Sequence, residues 1–227
     1  MAKDDDQDHI PQSSQMDVGE YVKYYRGVLT SQECDYIIGA EDDLNWKTFS
    51  TEDQWVRDLK WKPFSYDVGD VTVKSSGAAE VHDDKQKEIG LHQQQNRYKA
   101  MVKEDHFLYD IIKSAFEKVV EKYSTEFPLL DILKLSNFRI NRYSEGGYMA
   151  SHLDTIIVID KHQYGMPQVS ALLYINDDYE GGEFGIIDKI FKPEAGSALI
   201  FPSNFMFPHE SKVITRGKKW SIVTWLM

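Results

Sequence analysis

Two histidines and one aspartate in the C-terminal half of the chain are the residues whose types and spacing best support chemistry. His152 and Asp154 form a His-x-Asp pair, and His209 follows on a later segment with strand character. Two imidazoles and a carboxylate are the ligand set of the facial triad that binds non-haem Fe(II) and leaves coordination positions open. On an extended chain His152 and Asp154 point to the same side, because side-chain direction repeats every two residues. The sequence therefore predicts an Fe(II) site built from His152, Asp154 and His209.

A second His-x-Asp pair, His82 and Asp84, shows that the pattern alone is not specific. This pair lies in a charge-rich stretch flanked by Gly and Ser, with no rigid element to hold it. Metal ligands need fixed geometry and supporting hydrogen bonds. We therefore expect His82 and Asp84 to belong to a solvated loop.

A cation on the last predicted strand supplies the other half of the candidate site. Lys219, Ser221, Val223 and Trp225 share one face of that strand, and Lys218 faces the other way. The Val and Trp on this face indicate that it is buried. An unpaired buried charge is costly, so a ligand carboxylate would satisfy Lys219, with the Ser221 hydroxyl as a second donor. A surface strand with alternating lysines is the alternative.

The elements that must position these residues are strands, from residue 135 onward. Many short strands separated by turn clusters favour a sandwich or a jelly-roll barrel. We predict strands over residues 137–141, 169–175, 183–187, 198–201 and 220–226. The segment 169–175 is a nearly unbroken apolar run.

Two helices are predicted before these strands. Thr30 to Glu33 has the form of a capping box, which predicts a short helix over residues 31–40 with Cys34 as a small packing residue. Apolar residues at three- and four-residue steps predict a helix over 104–123, packed against a sheet.

The remaining segments are assigned by their composition. We expect residues 1–20 to form a flexible acidic tail, and residues 21–227 to form one domain with its core over 135–227. Residues 20–29 suggest a first strand. We expect long loops over 41–100, with one or two strands within 60–73, and these loops often form a substrate entrance.

Composition and charge narrow the possible partners. The formal net charge of −11 argues against a nucleic-acid or anionic-membrane binder, because phosphate affinity comes from clustered Lys and Arg. One cysteine suits a reducing compartment, and no apolar run reaches the length of a membrane helix. The acidic start lacks the apolar region of a signal peptide. We expect a cytoplasmic protein with a small-molecule or peptide substrate.

The motifs around the candidate ligands resemble a known family. Tyr143 to Gly147, followed by His152-Leu153-Asp154, resembles the Y-x-x-G-G…H-x-D segment of Fe(II)/2-oxoglutarate dioxygenases of the prolyl 4-hydroxylase type. The resemblance continues through residues 171–176, 181–184, 192–203, 209 and 217–221. Two positions depart from the pattern. Met149 stands where the family often has an aromatic residue, and Gln168 or Val169 stands where it often has Arg.

This resemblance implies a mainly β structure with flanking helices (α+β) and a double-stranded β-helix, or jelly-roll, core. It implies Fe(II) held by His152, Asp154 and His209, with 2-oxoglutarate and O₂ as cosubstrates. Lys219 matches the basic residue that pairs with the far carboxylate of 2-oxoglutarate. Tyr143 and Tyr174 match tyrosines that line the cosubstrate pocket, and ascorbate dependence is common in the family.

The implied activity is hydroxylation of an unactivated C–H bond, above all of a peptidyl proline or another amino-acid-like substrate, with release of succinate and CO₂. One alternative is a nucleic-acid demethylase of the same superfamily, against which the net charge counts. The other is a non-catalytic cupin-like binding module, since a fold alone does not fix a function. The intact ligand set together with Lys219 argues against that module.

Overall fold

The computed structural model of the chain describes residues 17–48, 65–68, 71–74, 97–132, 134–154, 158–160, 163–165 and 167–227. Within these ranges the α-helices are α1 (Ser31–Gly39) and α2 (Tyr109–Glu126). None of the described helices combines the length and the apolar character needed to cross a membrane. The strands are β1 (Lys23–Tyr25), β2 (Lys47–Thr48), β3 (Ser65–Val68), β4 (Val71–Lys74), β5 (Arg97–Met101), β6 (Arg139–Tyr143), β7 (Met149–His152), β8 (Val158–Asp160), β9 (Gln163–Gly165), β10 (Val169–Tyr174), β11 (Glu180–Gly181), β12 (Phe184–Ile186), β13 (Lys189–Phe191), β14 (Ser197–Pro202), β15 (His209–Ser211), β16 (Ile214–Arg216) and β17 (Lys219–Leu226).

Most strands belong to two antiparallel sheets that lie face to face. The larger sheet has the order β1-β14-β10-β17-β6-β5-β2, and the smaller has the order β13-β12-β15-β7. Side chains from both sheets line one cavity. Beside it, Leu199 and Phe201 of the larger sheet pack against Phe184 and Ile186 of the smaller one. The predicted double-stranded β-helix with flanking helices is confirmed.

The central strand β10 is buried on both faces, which explains its unbroken apolar sequence. Ala171 and Leu173 point to the layer beneath the helices, whereas Leu172 and Tyr174 point to the space between the sheets. β14 and β17 flank β10 in antiparallel register. β10 is therefore held by side-chain packing on both faces and by backbone hydrogen bonds along both edges.

The helices cover the outer face of the larger sheet. Ile112, Phe116 and Val119 of α2 join the same apolar cluster as Ile140 and Ile222 of the sheet. This packing is what the apolar stripe of the sequence predicted. The functional side chains therefore lie on the opposite face of the sheet, toward the cavity.

The start of each helix follows from local hydrogen bonds. The Thr30 side chain accepts from the Glu33 N–H while the Glu33 carboxylate accepts from the Thr30 N–H, so the predicted capping box of α1 is confirmed. Cys34 is buried, and burial with nearby carboxylates raises the pKa of its thiol to about 11, in keeping with a packing role. α2 begins at Tyr109, later than predicted, because the His106 ring accepts the Leu108 N–H and holds a preceding turn.

The N-terminal region is less extended than predicted. Instead of one strand over 20–29, a 3₁₀ turn (Val18–Tyr21) precedes the three-residue strand β1. The Asp17 carboxylate accepts the Gly19 N–H at 2.8 Å and starts this turn. The preceding part of the predicted tail lies outside the described residues, as do His82 and Asp84.

The segment 41–100 contains more strand structure than the predicted loops. β3 and β4 pair with each other, which confirms strands within or beside residues 60–73. The expectation of a loop is wrong for β5, which pairs with β6 and extends the larger sheet. Cross-strand pairing of this kind leaves no signal in a short polar sequence. Most of the remaining segment lies outside the described residues.

Candidate active site

The three residues predicted to bind metal meet in the cavity between the two sheets. His152 and His209 are direct partners across β7 and β15, and their ring centroids lie 4.2 Å apart. Asp154 follows β7. Its carboxylate oxygens lie 3.5 Å from His152 Nε2 and 3.4 Å from His209 Nε2. All three side chains therefore converge from adjacent strands of the smaller sheet.

Local hydrogen bonds orient both imidazoles. His152 Nδ1 lies 2.9 Å from the Ala150 carbonyl oxygen, and His209 Nδ1 lies 3.1 Å from the Phe207 carbonyl oxygen. Because a carbonyl oxygen can only accept, each Nδ1 carries the proton in these bonds. Each Nε2 faces the Asp154 carboxylate, to which it can donate when the ring is charged. In the neutral ring with Nδ1 protonated, the same Nε2 carries the lone pair that a metal ligand needs.

The Asp154 carboxylate is held in its ionised form and in a fixed orientation. Burial by itself raises the pKa of Asp154, but the neighbouring His152 and His209 imidazoles outweigh it and hold that pKa well below its ordinary value. The Ser170 hydroxyl donates to Asp154 Oδ2 at 2.7 Å, and Ser203 lies 2.7 Å from the same hydroxyl. Both serines are buried.

The residues present fit a divalent transition-metal ion. Their ligand atoms lie within 4.8 Å of one another. An ion about 2.1 Å from each of several neighbouring ligands keeps those ligands about 3 Å apart, close to the separations observed here. Two imidazoles with one carboxylate match the facial triad of non-haem Fe(II) sites. Phe184 and Phe201 pack against the His209 ring at 5.5 and 4.8 Å and shield it from solvent.

Lys219 lies at the deep end of the same cavity. Its side chain is 1% exposed, and its Nζ donates to the Gly182 carbonyl oxygen at 2.6 Å and to Ser211 Oγ at 2.9 Å. Both acceptors are neutral, and no carboxylate of the described residues forms a salt bridge with Lys219. Burial lowers the pKa of this ammonium group to about 7, although the Glu183 carboxylate partly opposes the shift. Among the described residues, Lys219 thus has no carboxylate within salt-bridge distance.

The comparison with known families gives the decisive observation. The family model described as the 2OG-Fe(II) oxygenase superfamily matches residues 138–227, the segment that contains every residue of the candidate site. This part of the chain is therefore similar to the 2OG-Fe(II) oxygenase superfamily. The name of that superfamily contains two ligands, Fe(II) and 2-oxoglutarate, and the triad and the buried Lys219 are of the kinds that could hold them.

Two relatives are similar to parts of this chain. The chain is 38% identical over 69 residues to human prolyl 3-hydroxylase 2, covering 27% of this chain and 10% of the relative. It is 28% identical over 93 residues to a PKHD-type hydroxylase of Synechococcus sp., covering 38% of this chain and 41% of the relative. The chain therefore spans less than half of either relative.

Among solved structures, the viral collagen prolyl hydroxylase vCPH of Paramecium Bursaria Chlorella virus-1, in its 2OG complex, has a similar fold. The TM-score is 0.58 at 16% identity, and the superposition covers 92% of this chain and 96% of that chain. At this identity the likeness concerns the fold alone. It supports the jelly-roll architecture described above.

The side chains around Lys219 fit a dicarboxylate such as 2-oxoglutarate. Lys219 Nζ lies 5.8 Å from the Tyr143 ring centroid and 5.4 Å from that of Tyr174. The Tyr174 hydroxyl is buried and has no acceptor among the described residues. Ser221 lies directly across from Tyr174 and lines the same cavity. A ligand carboxylate would therefore meet a cation and an unused hydroxyl donor, with Ser221 as a further donor.

A glycine makes the deep end of the cavity possible. Gly182 has φ of +67°, and a Cβ added there would lie 2.4 Å from Ile214 Cδ1 and 3.3 Å from Lys219 Cδ. A side chain there would force Ile214 to shift and would strain the backbone of the residue whose carbonyl accepts from Lys219 Nζ. Gly181-Gly182 therefore borders the deep end of the cavity, next to Lys219, in addition to forming a turn.

Several residues of the site were not predicted from the sequence. Ser170 and Ser203 orient Asp154, and Ser211 accepts from Lys219. One signal was available for Ser170, because a hydroxyl inside a strand buried on both faces needs a hydrogen-bond partner. The role of Ser211 depends on how β15 faces β17, which a sequence pattern does not specify.

Proposed function

We propose that this protein is an Fe(II)- and 2-oxoglutarate-dependent dioxygenase that hydroxylates an unactivated C–H bond of an amino-acid-like substrate. The observation that carries the proposal is the placement of two complementary sites in one cavity. The triad of His152, Asp154 and His209 lies toward one end, and buried Lys219 lies at the other. The match of residues 138–227 to the superfamily model supports both assignments.

Each residue has a defined task in this proposal. His152, Asp154 and His209 would hold the ion, and Ser170 would keep the Asp154 carboxylate in position. When bound, Fe(II) supplies O₂ activation coupled to oxidation of 2-oxoglutarate to succinate and CO₂. Lys219 would orient the far carboxylate of 2-oxoglutarate through a charge-assisted hydrogen bond. The apolar walls around His209 would exclude water from the reacting groups.

The substrate class rests on the relatives. A human prolyl 3-hydroxylase and a cyanobacterial PKHD-type hydroxylase are similar to this chain. These names favour a proline residue or a related amino acid as the molecule hydroxylated. Ascorbate dependence and a cytoplasmic location stay predictions from the sequence.

The test is anaerobic and needs no knowledge of the substrate. Fe(II) and 2-oxoglutarate are added to the protein, and the visible charge-transfer absorption of the ternary complex is recorded. We expect a band in the wild type and its loss in Asp154→Ala, because a ligand is removed. Lys219→Gln should weaken 2-oxoglutarate binding. Lys218→Gln removes a neighbouring charge that is outside the cavity and should leave the band unchanged.

Two outcomes would contradict the proposal. The first is a folded wild-type protein that gives no band at saturating Fe(II) and 2-oxoglutarate. The second is a band of equal strength in Asp154→Ala. The first result would return the cupin-like binding module as the better interpretation of the same fold, and the second would remove Asp154 from the metal-ligand set.

A further inference from the structure

A second cation lines the cavity at the end away from Lys219. Arg139 contributes its side chain from β6, and its guanidinium carbon lies 4.8 Å from the ring centroid of Trp225. Cation–π contact with an indole is the most favourable of its kind. Trp225 therefore holds the Arg139 guanidinium at a defined place on the cavity wall.

Strand register places this pair beside the metal ligands. Trp225 pairs with Ser170 across β17 and β10, and the Ser170 hydroxyl donates to Asp154. Arg139 pairs with Val223, whereas Lys219 pairs with Tyr143 at the opposite end of β6. Four residues of an antiparallel strand span about 13 Å. The two cations therefore lie at opposite ends of this strand pair, too far apart to share one carboxylate.

Exposure distinguishes the two ends. Lys219 is 1% exposed, whereas Arg139 and Trp225 are half-buried, so the cavity opens toward the Arg139 end. A cosubstrate that binds first would therefore place its carboxylate at the deep end of the cavity, next to Lys219. A molecule that arrives afterwards, with its reacting carbon near the triad, would meet Arg139 and Trp225.

The donors at the open end suit a carboxylate. A guanidinium presents paired N–H groups that match the two oxygens of a carboxylate. The indole Nε1–H of Trp225 is buried and has no acceptor among the described residues, so it is available as an additional donor. Because a guanidinium is always charged, a carboxylate gains more from contact with it than a neutral amide does.

We propose that Arg139 is a specificity-determining residue that binds a carboxylate of the primary substrate, with Trp225 as its positioning residue. The substrate is then an amino-acid-like molecule that carries a free carboxylate, either a free amino acid or the C-terminal residue of a peptide. This inference rests on the proposed dioxygenase function and narrows its substrate class.

The experiment measures binding as well as turnover. The anaerobic Fe(II)–2-oxoglutarate complex of the full chain is titrated calorimetrically with common L-amino acids, beginning with L-proline, and with their carboxamides. A second arm uses short proline peptides with a free or an amidated C-terminus, and a third uses amidated peptides with an internal Asp or Glu. Stimulation of succinate release is then recorded for each compound that binds.

We expect binding of compounds with a free C-terminal carboxylate and loss of binding when it is amidated. Arg139→Gln should weaken binding of the acid by about tenfold or more, the usual loss for a truncated charge-assisted contact, and should leave the charge-transfer band intact. Arg139→Lys should recover part of the affinity. Trp225→Phe, which keeps an aromatic ring, should weaken binding less than Arg139→Gln, and Lys218→Gln should have no effect.

Equal affinity for acids and their amides would overturn this inference, as would unchanged acid binding in Arg139→Gln. Preference for an internal acidic side chain over a C-terminal carboxylate would overturn the assigned substrate class. Loss of the charge-transfer band in Arg139→Gln would assign the residue to the cosubstrate instead. A wild type without that band would refute the dioxygenase itself, so the two failures are distinguishable.

Discussion

Lys219 is the residue whose environment says most about the ligand of this cavity. An ammonium group with two neutral acceptors and three tyrosine rings around it is protonated only at an energetic cost. That cost appears as the lowering of its pKa to about 7. A dicarboxylate would remove the cost by supplying the missing negative charge. Binding of 2-oxoglutarate should therefore be coupled to the protonation of Lys219.

This coupling predicts a pH dependence of 2-oxoglutarate affinity. Below pH 7 Lys219 is protonated before binding, so affinity should be constant there. Above pH 7 the free protein loses this proton, whereas the complex keeps it, so affinity should fall by up to about tenfold per pH unit. Anaerobic titrations with Fe(II) between pH 6 and about 9 would measure this fall.

Lys219→Arg is the matched control, because an arginine stays protonated throughout this range. Its affinity should vary less with pH than that of the wild type, even if steric misfit lowers the absolute value. Identical pH profiles for the two proteins would show that another group controls the dependence.

At the scale of the element, β10 connects the apolar layer beneath the helices to the cavity that contains the candidate metal ligands. One face of this strand packs beneath the helices, and the other carries Leu172 and Tyr174 to the cavity. Ser170 on the same strand donates to Asp154, so the position of the strand sets the orientation of a metal ligand. Rigid support of this kind is what a metal site needs.

Ser170→Ala tests this support. The change removes the only hydroxyl that the described residues provide to Asp154 Oδ2, and it adds no bulk. We expect Fe(II) or Mn(II) affinity to fall about tenfold, within the usual range for loss of a ligand's hydrogen-bond partner. Equilibrium metal titration would measure the change.

Ser203→Ala serves as the comparison, because Ser203 contacts Ser170 but has no direct contact with Asp154 among the described hydrogen bonds. It should lower metal affinity less than Ser170→Ala. Equal losses would show that the two serines act as one unit, and no loss in either would remove Ser170 from the site.

Elements with strong local signals could be predicted from the sequence. The capping box around Thr30 fixes α1 because its donors and acceptors lie within one turn. The apolar run of β10 is equally legible, since both faces are buried. The His-x-Asp spacing likewise predicted that His152 and Asp154 lie on one side of the chain, and the structure places both beside His209, although Asp154 lies just beyond the end of β7.

Features that depend on pairing between distant strands could not be predicted. β5 joins the larger sheet although its sequence is polar, because pairing with β6 supplies its backbone hydrogen bonds. Arg139 meets Trp225 only because β6 and β17 are in one particular register. A shift of one residue would turn either side chain to the opposite face.

At the scale of the whole molecule, the cavity is a gap in the core between two sheets. Polar and charged residues line it where apolar packing would otherwise continue, including Arg139, Asn141 and Lys219. Filling the gap with metal and 2-oxoglutarate should stabilise the folded state by mass action. At a hundredfold excess over Kd the gain is about 2.7 kcal/mol.

Thermal unfolding should report this gain. For a domain of this size, we expect 2-oxoglutarate with Mn(II) to raise Tm by about 5–10 °C. A 2-oxo acid without the far carboxylate, such as 2-oxobutyrate, should give a smaller increase. The difference between the two acids should nearly vanish in Lys219→Gln. Equal increases with both acids in the wild type would show that Lys219 has no part in cosubstrate binding.

The position of β17 has a consequence for synthesis of the chain. This strand follows all the other described strands in sequence, yet it lies between β10 and β6 near the middle of the larger sheet. While the ribosome is still adding residues before Lys219, the two halves of that sheet have no partner to join them. β10 and β6 then each present an open edge to other nascent chains. The sheet can therefore close only after the segment that contains Lys219 has been made and has left the ribosome, and until then both edges stay open to aggregation.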